Sequence, residues 1–389
     1  MIFNNSSVLW PRIATIAIFL ANGVGIGAWA AAIPGLQRSH ELSAARLSLV
    51  LLAFAGGAVI SMLLAGLAMP ALGTRRACVL AGASFALTLL WPPWAPSFQW
   101  LVVVAFLLGF TNGAIDVSMN AHASGIERRW GAPIMSSFHA AFSLGGLAGA
   151  AIAGLLEARQ LGLGLFLSGS LSFLLVMLAG PALGPGEEES ATGSGLRLPD
   201  RGMWAICAMV LLCMLVEGAM ADWSSVYIAS LGDPSLAASG YAAFSLAMAA
   251  GRLTGDRIVR LLGPSRVILA GGLTAGAGSV AAAMASGVFF AVPGFVLIGL
   301  GLANVVPVLF SAAARRYSVA ATGVAMAASA GYAGFLAGPP ALGGVISAFG
   351  LRPGIGILAL AALTVTLLAW RFAAISQLSS QMEESGYGR

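Results

Sequence analysis

The chain contains no lysine, only three cysteines and very little charge: Asp, Glu, Lys and Arg together make up 8% of its 389 residues. Soluble domains carry about 25% charged residues. A soluble globular fold is therefore excluded, and so are coiled-coil, collagen-like and disordered chains. Cys78, Cys207 and Cys213 lie in or beside apolar runs, without the spacing of a metal site or a redox pair. They read as small core residues. Without lysine there is no Walker-type phosphate loop, and the sequence has no HExxH, no GxSxG and no Cys/His cluster. An enzyme is not expected, and neither is a metal or cofactor. The 19 arginines give a net charge of +5 and a pI of about 9.6. They do not gather on one face as those of a nucleic-acid binder do.

What the chain has in abundance is hydrophobicity, with 59% apolar residue types and a mean hydropathy of +0.93. A bilayer crossing takes about 20 apolar residues, so there is enough for about twelve crossings joined by short loops. Apolar runs broken by Gly, Pro or charge predict spans near 11–34, 45–69, 76–93, 98–121, 133–156, 160–182, 202–231, 237–260, 266–286, 288–311, 320–348 and 352–375. The segment 184–201 carries Glu187, Glu188, Glu189, Ser190 and several glycines, and reads as a flexible linker. It divides the chain into two six-span halves, 1–183 and 202–389. The N-terminal residues run into the first span without a cleavage site and are expected to remain part of it.

Arginine placement predicts orientation. Both termini and the even-numbered connections hold Arg12, Arg75, Arg76, Arg128, Arg129, Arg197, Arg201, Arg252, Arg257, Arg260, Arg266, Arg315, Arg316, Arg371 and Arg389. The opposite side holds only Arg38, Arg46, Arg159 and Arg352. The positive-inside rule then predicts that both termini and the linker are cytoplasmic.

The halves repeat at an offset of 190 residues: Ala53-Phe54 matches Ala243-Phe244, Gly73 and Arg76 match Gly263 and Arg266, Gly82 matches Gly272, and Gly109 matches Gly299. Parallel six-span repeats are expected to hold a substrate site at their interface near mid-membrane.

In this arrangement the chain resembles the major facilitator superfamily over essentially its whole length. The superfamily's loop signature after the eighth span is matched by Gly251-Arg252-Leu253-Thr254-Gly255-Asp256-Arg257 with Gly263 and Arg266. After the second span Gly66, Gly73, Arg75 and Arg76 remain, but Pro70 and Ala71 stand where an acid and a basic residue are usual. Gly113-Ala114-Ile115-Asp116-Val117-Ser118-Met119-Asn120 and Ser137-Phe138-His139-Ala140-Ala141-Phe142-Ser143-Leu144-Gly145 are similar to the fucose-permease-like branch, with Asp116 for its usual Glu and His139 at a Gln position. Gly23 to Pro34 and Glu217 to Trp223 look like an uncharacterised bacterial subgroup of that branch. Asn22 stands where the branch's sugar symporters have an acid. The resemblance implies an all-α membrane protein of two pseudo-symmetric six-helix bundles. It also implies secondary transport by alternating access, as a monomer among membrane lipids. Drug:proton antiporters of the superfamily usually carry a Gly-Pro step in span five; Gly145-Gly146-Leu147-Ala148-Gly149-Ala150 has no proline. A small polar, sugar-like solute moved with protons is the leading expectation, and proton-driven export of drugs, lipophilic compounds or metabolites the alternative. A sensor would need a signalling domain, for which the termini are short.

Several residues can carry this chemistry. Asn112, Asp116 and Asn120 repeat every four residues and share one face of span four. A carboxyl in the bilayer costs a few kcal/mol unless it meets a cavity or a partner. Asp116 is read as the proton site or as a helix-locking hydrogen bond. His139 offers a donor and an acceptor, suited to substrate, to proton relay or to interhelical bonding. Glu217 and Asp222, five residues apart, point about 140° from each other on a helix; the deeper Glu217 is the second proton candidate and Asp222 a substrate contact. Trp29 and Trp223 either stack on a sugar ring or anchor at the interface. Asn22, Asn304 and Tyr332 complete the substrate candidates. Arg252, Asp256, Arg257, Arg75 and Arg76 are the gating candidates, with Glu127, Arg128 and Arg129 beside them. Pro307, and Gly338-Pro339-Pro340, mark spans ten and eleven as bent.

Overall fold

The computed structural model describes residues 6–42, 44–157, 161–185, 199–232, 236 and 238–384. Most of the linker, 186–198 with Glu187 to Ser190 and Arg197, lies outside the described residues, as do Arg159 and Arg389.

All regular structure among the described residues is helical. The first half comprises α1 (Ser6–Ser39), α2 (Ala44–Leu72), α3 (Thr74–Thr88), α4 (Phe98–Trp130), α5 (Met135–Glu157) and α6 (Leu161–Ala179), followed by a 3-10 turn, Gly180–Leu183. The second comprises α7 (Arg201–Ser230), α8 (Ala238–Leu262), α9 (Pro264–Met284), α10 (Val288–Leu302), α11 (Val305–Ala314), α12 (Ala320–Phe349) and α13 (Leu351–Glu384). α10 and α11 together form the tenth crossing, Val288–Ala314. Among the described residues, eleven helical segments are long and apolar enough to span a bilayer. The remaining crossing is α8, whose hydropathy is held down by Arg252, Asp256, Arg257 and Arg260. The protein is thus an all-α membrane protein of twelve crossings.

Local chemistry sets the ends. Ser97 caps α4 by accepting from the Trp100 N–H, and Asp200 caps α7 by accepting from the Met203 N–H at 2.7 Å. The reversals into α3 and α9 need a left-handed residue, supplied by Gly73 (φ 72°) and Gly263 (φ 80°). These two glycines are 190 residues apart and make the same bonds: each donates its N–H to the residue four before it, and its own carbonyl accepts from the residue four after.

By its internal contacts the chain divides into two compact units, Met1–Arg197 with Ala313–Ser329, and Leu198–Ala312 with Ala330–Arg389. The end of α11 and the start of α12 therefore pack with the first unit. Within that unit α1 pairs with α5 and α2 with α4; in the second, α9 pairs with α10 and α13, and α8 with α10. The closest approaches rest on glycine, as helix association in lipid favours. Gly145 and Gly149 of α5 lie on the carbonyls of Leu20 and Val24 of α1, and Gly334 and Gly338 of α12 on those of Leu211 and Leu215 of α7.

Candidate transport site

In the first unit, α4 carries a polar stripe that meets α1 at Asn112. Asn22 of α1 donates its side-chain amide to Asn112 Oδ1 at 2.9 Å, and both residues are buried. One turn along, Asp116 is half-buried; two turns along, Asn120 is fully buried. Asn120 Nδ2 donates to the Asp116 carboxylate at 3.1 Å and to the Asp116 carbonyl at 2.9 Å. Asn120 Oδ1 is buried with no donor among the described residues, an arrangement that native interiors tolerate rarely. The stripe exists because i, i+4 and i+8 fall on one helix face, and its depth comes from the glycines that let α2 and α4 close up beside it. His139 of α5 sets its ring edge against Phe19 of α1, centroids 5.5 Å apart. Phe19 lies one turn from Asn22, so α1 links the histidine to the amide pair. Trp29, 4% exposed, stacks on Phe54 of α2 at 5.8 Å with planes 14° apart.

The second unit holds a different constellation. Arg252 of α8 is buried, and its Nη2 lies 3.8 Å from Glu217 Oε2 of α7. Its Nε donates to the carbonyl of Ala303, at the junction of α10 and α11, at 3.3 Å. Asn304 at the same junction donates its amide to the Gly251 carbonyl at 3.0 Å. Arg252 had read as an edge residue grouped with Asp256 and Arg257; the helix carries it inward, while Arg257 is exposed and Asp256 half-buried. Asp222 is exposed. Trp223 is half-buried against Gly343 of α12, and Tyr332 of α12 is half-buried.

At the edge of the first unit, Arg75 donates Nε to the Gly180 carbonyl at 3.2 Å, pinning the turn after α6, and Arg76 is exposed. No motif in the sequence singles out Arg315. Its Nη1 meets Glu127 Oε1 at 3.1 Å, while Glu127 Oε2 accepts the backbone N–H groups of Ile134 and Met135 at 3.0 and 2.9 Å. The one hint in the sequence was the Arg315-Arg316 pair, which counted only toward orientation.

The profile of the Major Facilitator Superfamily matches residues 14–339. The chain belongs to that superfamily. It is accordingly a transporter and not an enzyme, with a small-molecule substrate. An uncharacterised MFS-type transporter of Yersinia pestis is 35% identical over 365 residues, covering 92% of this chain and 94% of that one. The membrane protein MosC of Rhizobium meliloti is 33% identical over 345 residues, covering 86% and 83%. Among solved structures, the transporter FucP in its outward conformation superposes with a TM-score of 0.77 at 18% identity, over 94% of this chain and 99% of that one. That likeness is one of fold. Members of the superfamily are in general secondary transporters; the two units of this chain carry different chemistry, amides and a carboxyl in the first and an arginine–glutamate pair in the second.

Proposed function

We propose that this transporter moves a small polar, sugar-like solute across the bacterial inner membrane by alternating access, in symport with protons, and that both termini face the cytoplasm. The observation that carries the reading is the α4 stripe, where an intramembrane carboxyl, Asp116, is flanked one turn each way by Asn112 and Asn120. Amides and a carboxylate on one face offer the donors and acceptors that hydroxyl-rich solutes need. Asn120 Oδ1 leaves an acceptor without a donor among the described residues. An intramembrane acid that gains and loses a proton can couple transport to the proton gradient. The solved structure of similar fold described as a fucose:proton symporter supports the same class. His139 and Glu217 are the further proton-handling candidates. Asn22, Asp222, Trp223, Asn304 and Tyr332 are substrate candidates. One proton falling through 100 mV supplies about 2.3 kcal/mol, or about fortyfold accumulation.

Beyond the gating candidates read from the sequence, the geometry supports a latch between Glu127 and Arg315, made and broken as access changes. The twofold anchoring of Glu127 on the start of α5 gives such a latch a fixed side.

Purified protein screened by thermal unfolding against sugars, sugar acids and lipophilic cations tests the reading. A sugar-like solute should stabilise it, and Asp116→Asn in proteoliposomes should exchange that solute without accumulating it under a pH gradient. Stabilisation by lipophilic cations alone would replace symport with export.

A further inference from the structure

The tenth crossing is broken where the chemistry of the second unit gathers. α10 ends at Leu302 and α11 begins at Val305. The helical ladder runs to the bond from the Ala303 N–H to the Gly299 carbonyl and resumes with the bond from Val308 to Asn304. Between them stands Pro307, which has no N–H and so cannot serve the carbonyl four residues before it, that of Ala303. A carbonyl orphaned in the bilayer is costly. Here it is not orphaned, because the Arg252 guanidinium donates to it. The Asn304 amide donates in the other direction, to the Gly251 carbonyl, so α8 and the break are stitched twice at adjacent residues.

The first unit supplies an internal comparison. At the offset of 190, Pro307 corresponds to Val117 and Arg252 to Met62. α4 runs unbroken through Val117, from Phe98 to Trp130. Proline and arginine occur together in one repeat and are both absent from the other, as expected if each requires its partner.

Arg252 has a second claim on it. Glu217 Oε2 lies 3.8 Å from Nη2, outside hydrogen-bond reach, with side-chain exposures of 9% for Arg252 and 24% for Glu217. A charged carboxylate is the stronger acceptor and prefers a paired guanidinium.

We propose that Arg252 is the positioning residue of the broken crossing: its guanidinium replaces the N–H that Pro307 lacks and holds the α10–α11 junction, and charged Glu217 competes for it and loosens that hold. Glu217 thereby acts on the shape of span ten through one shared side chain. This coupling goes beyond the Glu127–Arg315 latch proposed above and does not depend on it. Its test needs no substrate, so either can fail without the other.

Amide hydrogen exchange of the full-length protein in detergent, followed on peptides covering 303–312, tests it. Arg252→Gln should speed exchange there about tenfold. Adding Pro307→Ala to that variant, which restores a backbone donor for Ala303, should bring exchange back to within about twofold of wild type. Glu217→Gln should slow exchange about threefold by removing the competitor. Should Arg252→Gln not fold, Pro307→Ala alone still decides: exchange in 303–312 should slow in an otherwise native protein. Unchanged exchange in Arg252→Gln, or no rescue by Pro307→Ala, would overturn the stitch. Faster exchange in Glu217→Gln would overturn the competition.

Discussion

Gly109 of α4 lies on the backbone carbonyl of Phe54 of α2, so close that a methyl group has no room between them. Gly299 of α10 makes the same contact with the carbonyl of Phe244 of α8, each partner 190 residues further on. Gly82 against Val176 recurs as Gly272 against Thr366 at the same offset. The repeat is thus one of packing, fixed by positions where only glycine allows two backbones to touch. The chemistry does not repeat. Asn112 and Asp116 correspond to Leu302 and Val306, and Arg252 to Met62. Asp116 follows Gly109 by seven residues and so lies within about 20° of it around α4; the glycine contact is kept in both halves while the chemistry beside it differs. Gly109→Val and Gly299→Val should each destabilise the purified protein by about 1–3 kcal/mol through overpacking. Gly56→Ala, with open space around it, should change little. Thermal unfolding in detergent compares the three, and a tolerated Gly109→Val would refute the packing account.

The Glu127–Arg315 contact is asymmetric. Arg315 is 46% exposed at its side chain and Glu127 only 7%. An ion pair with one solvated partner contributes about 0–1 kcal/mol. The other Glu127 oxygen serves two buried N–H groups at the start of α5, and losing both contacts costs about 2–3 kcal/mol. Glu127→Ala should therefore lower stability far more than Arg315→Ala, and Glu127→Gln should fall near Arg315→Ala. Equal losses in the two alanine variants would show that the carboxylate acts only through the arginine.

The twelve crossings were legible as apolar runs, and the superfamily from the loop signature at Gly251 to Arg257. The α4 stripe was legible as well, because Asn112, Asp116 and Asn120 obey helical spacing whatever surrounds them. What the sequence hides is depth and direction at helix ends. One helical turn, well within the uncertainty of a span boundary, separates Arg252 from Asp256 and moves it from edge to interior. Pro307 announced a bend, but the donor that satisfies the freed carbonyl comes from 51 residues away. Arg315 belongs to a short loop whose contacts are with the first unit, a pairing that no local pattern encodes.

His122 shows how a membrane histidine can be wholly structural. Its Nε2 lies 3.2 Å from the Leu183 carbonyl, which can only accept, so that nitrogen carries the proton. Nδ1 then accepts from the Thr74 hydroxyl at 2.9 Å. Both nitrogens are committed, and the ring ties α3 and α4 to the turn after α6. His122→Ala should cost about 1–3 kcal/mol of stability while leaving the pH profile of transport in proteoliposomes unmoved. A shifted profile in a stable His122 variant would place the ring on a proton path.

Trp29 decides between packing and recognition. Two roles were open to it from the sequence, stacking on a solute or anchoring at a headgroup. The fold buries the indole to 4% exposure and lays it flat on Phe54, the residue whose carbonyl receives Gly109. An indole so placed braces α1 against α2 at the point where α4 also closes in, and a solute would have to displace Phe54 to reach that face. Trp29→Ala should then cost about 3–5 kcal/mol, as other large buried aromatics do. Trp29→Phe should preserve the stack, most of the stability and the thermal stabilisation given by the transported solute. If Trp29→Phe unfolds at the wild-type temperature yet no longer responds to that solute, the indole is a binding residue and the brace is incidental.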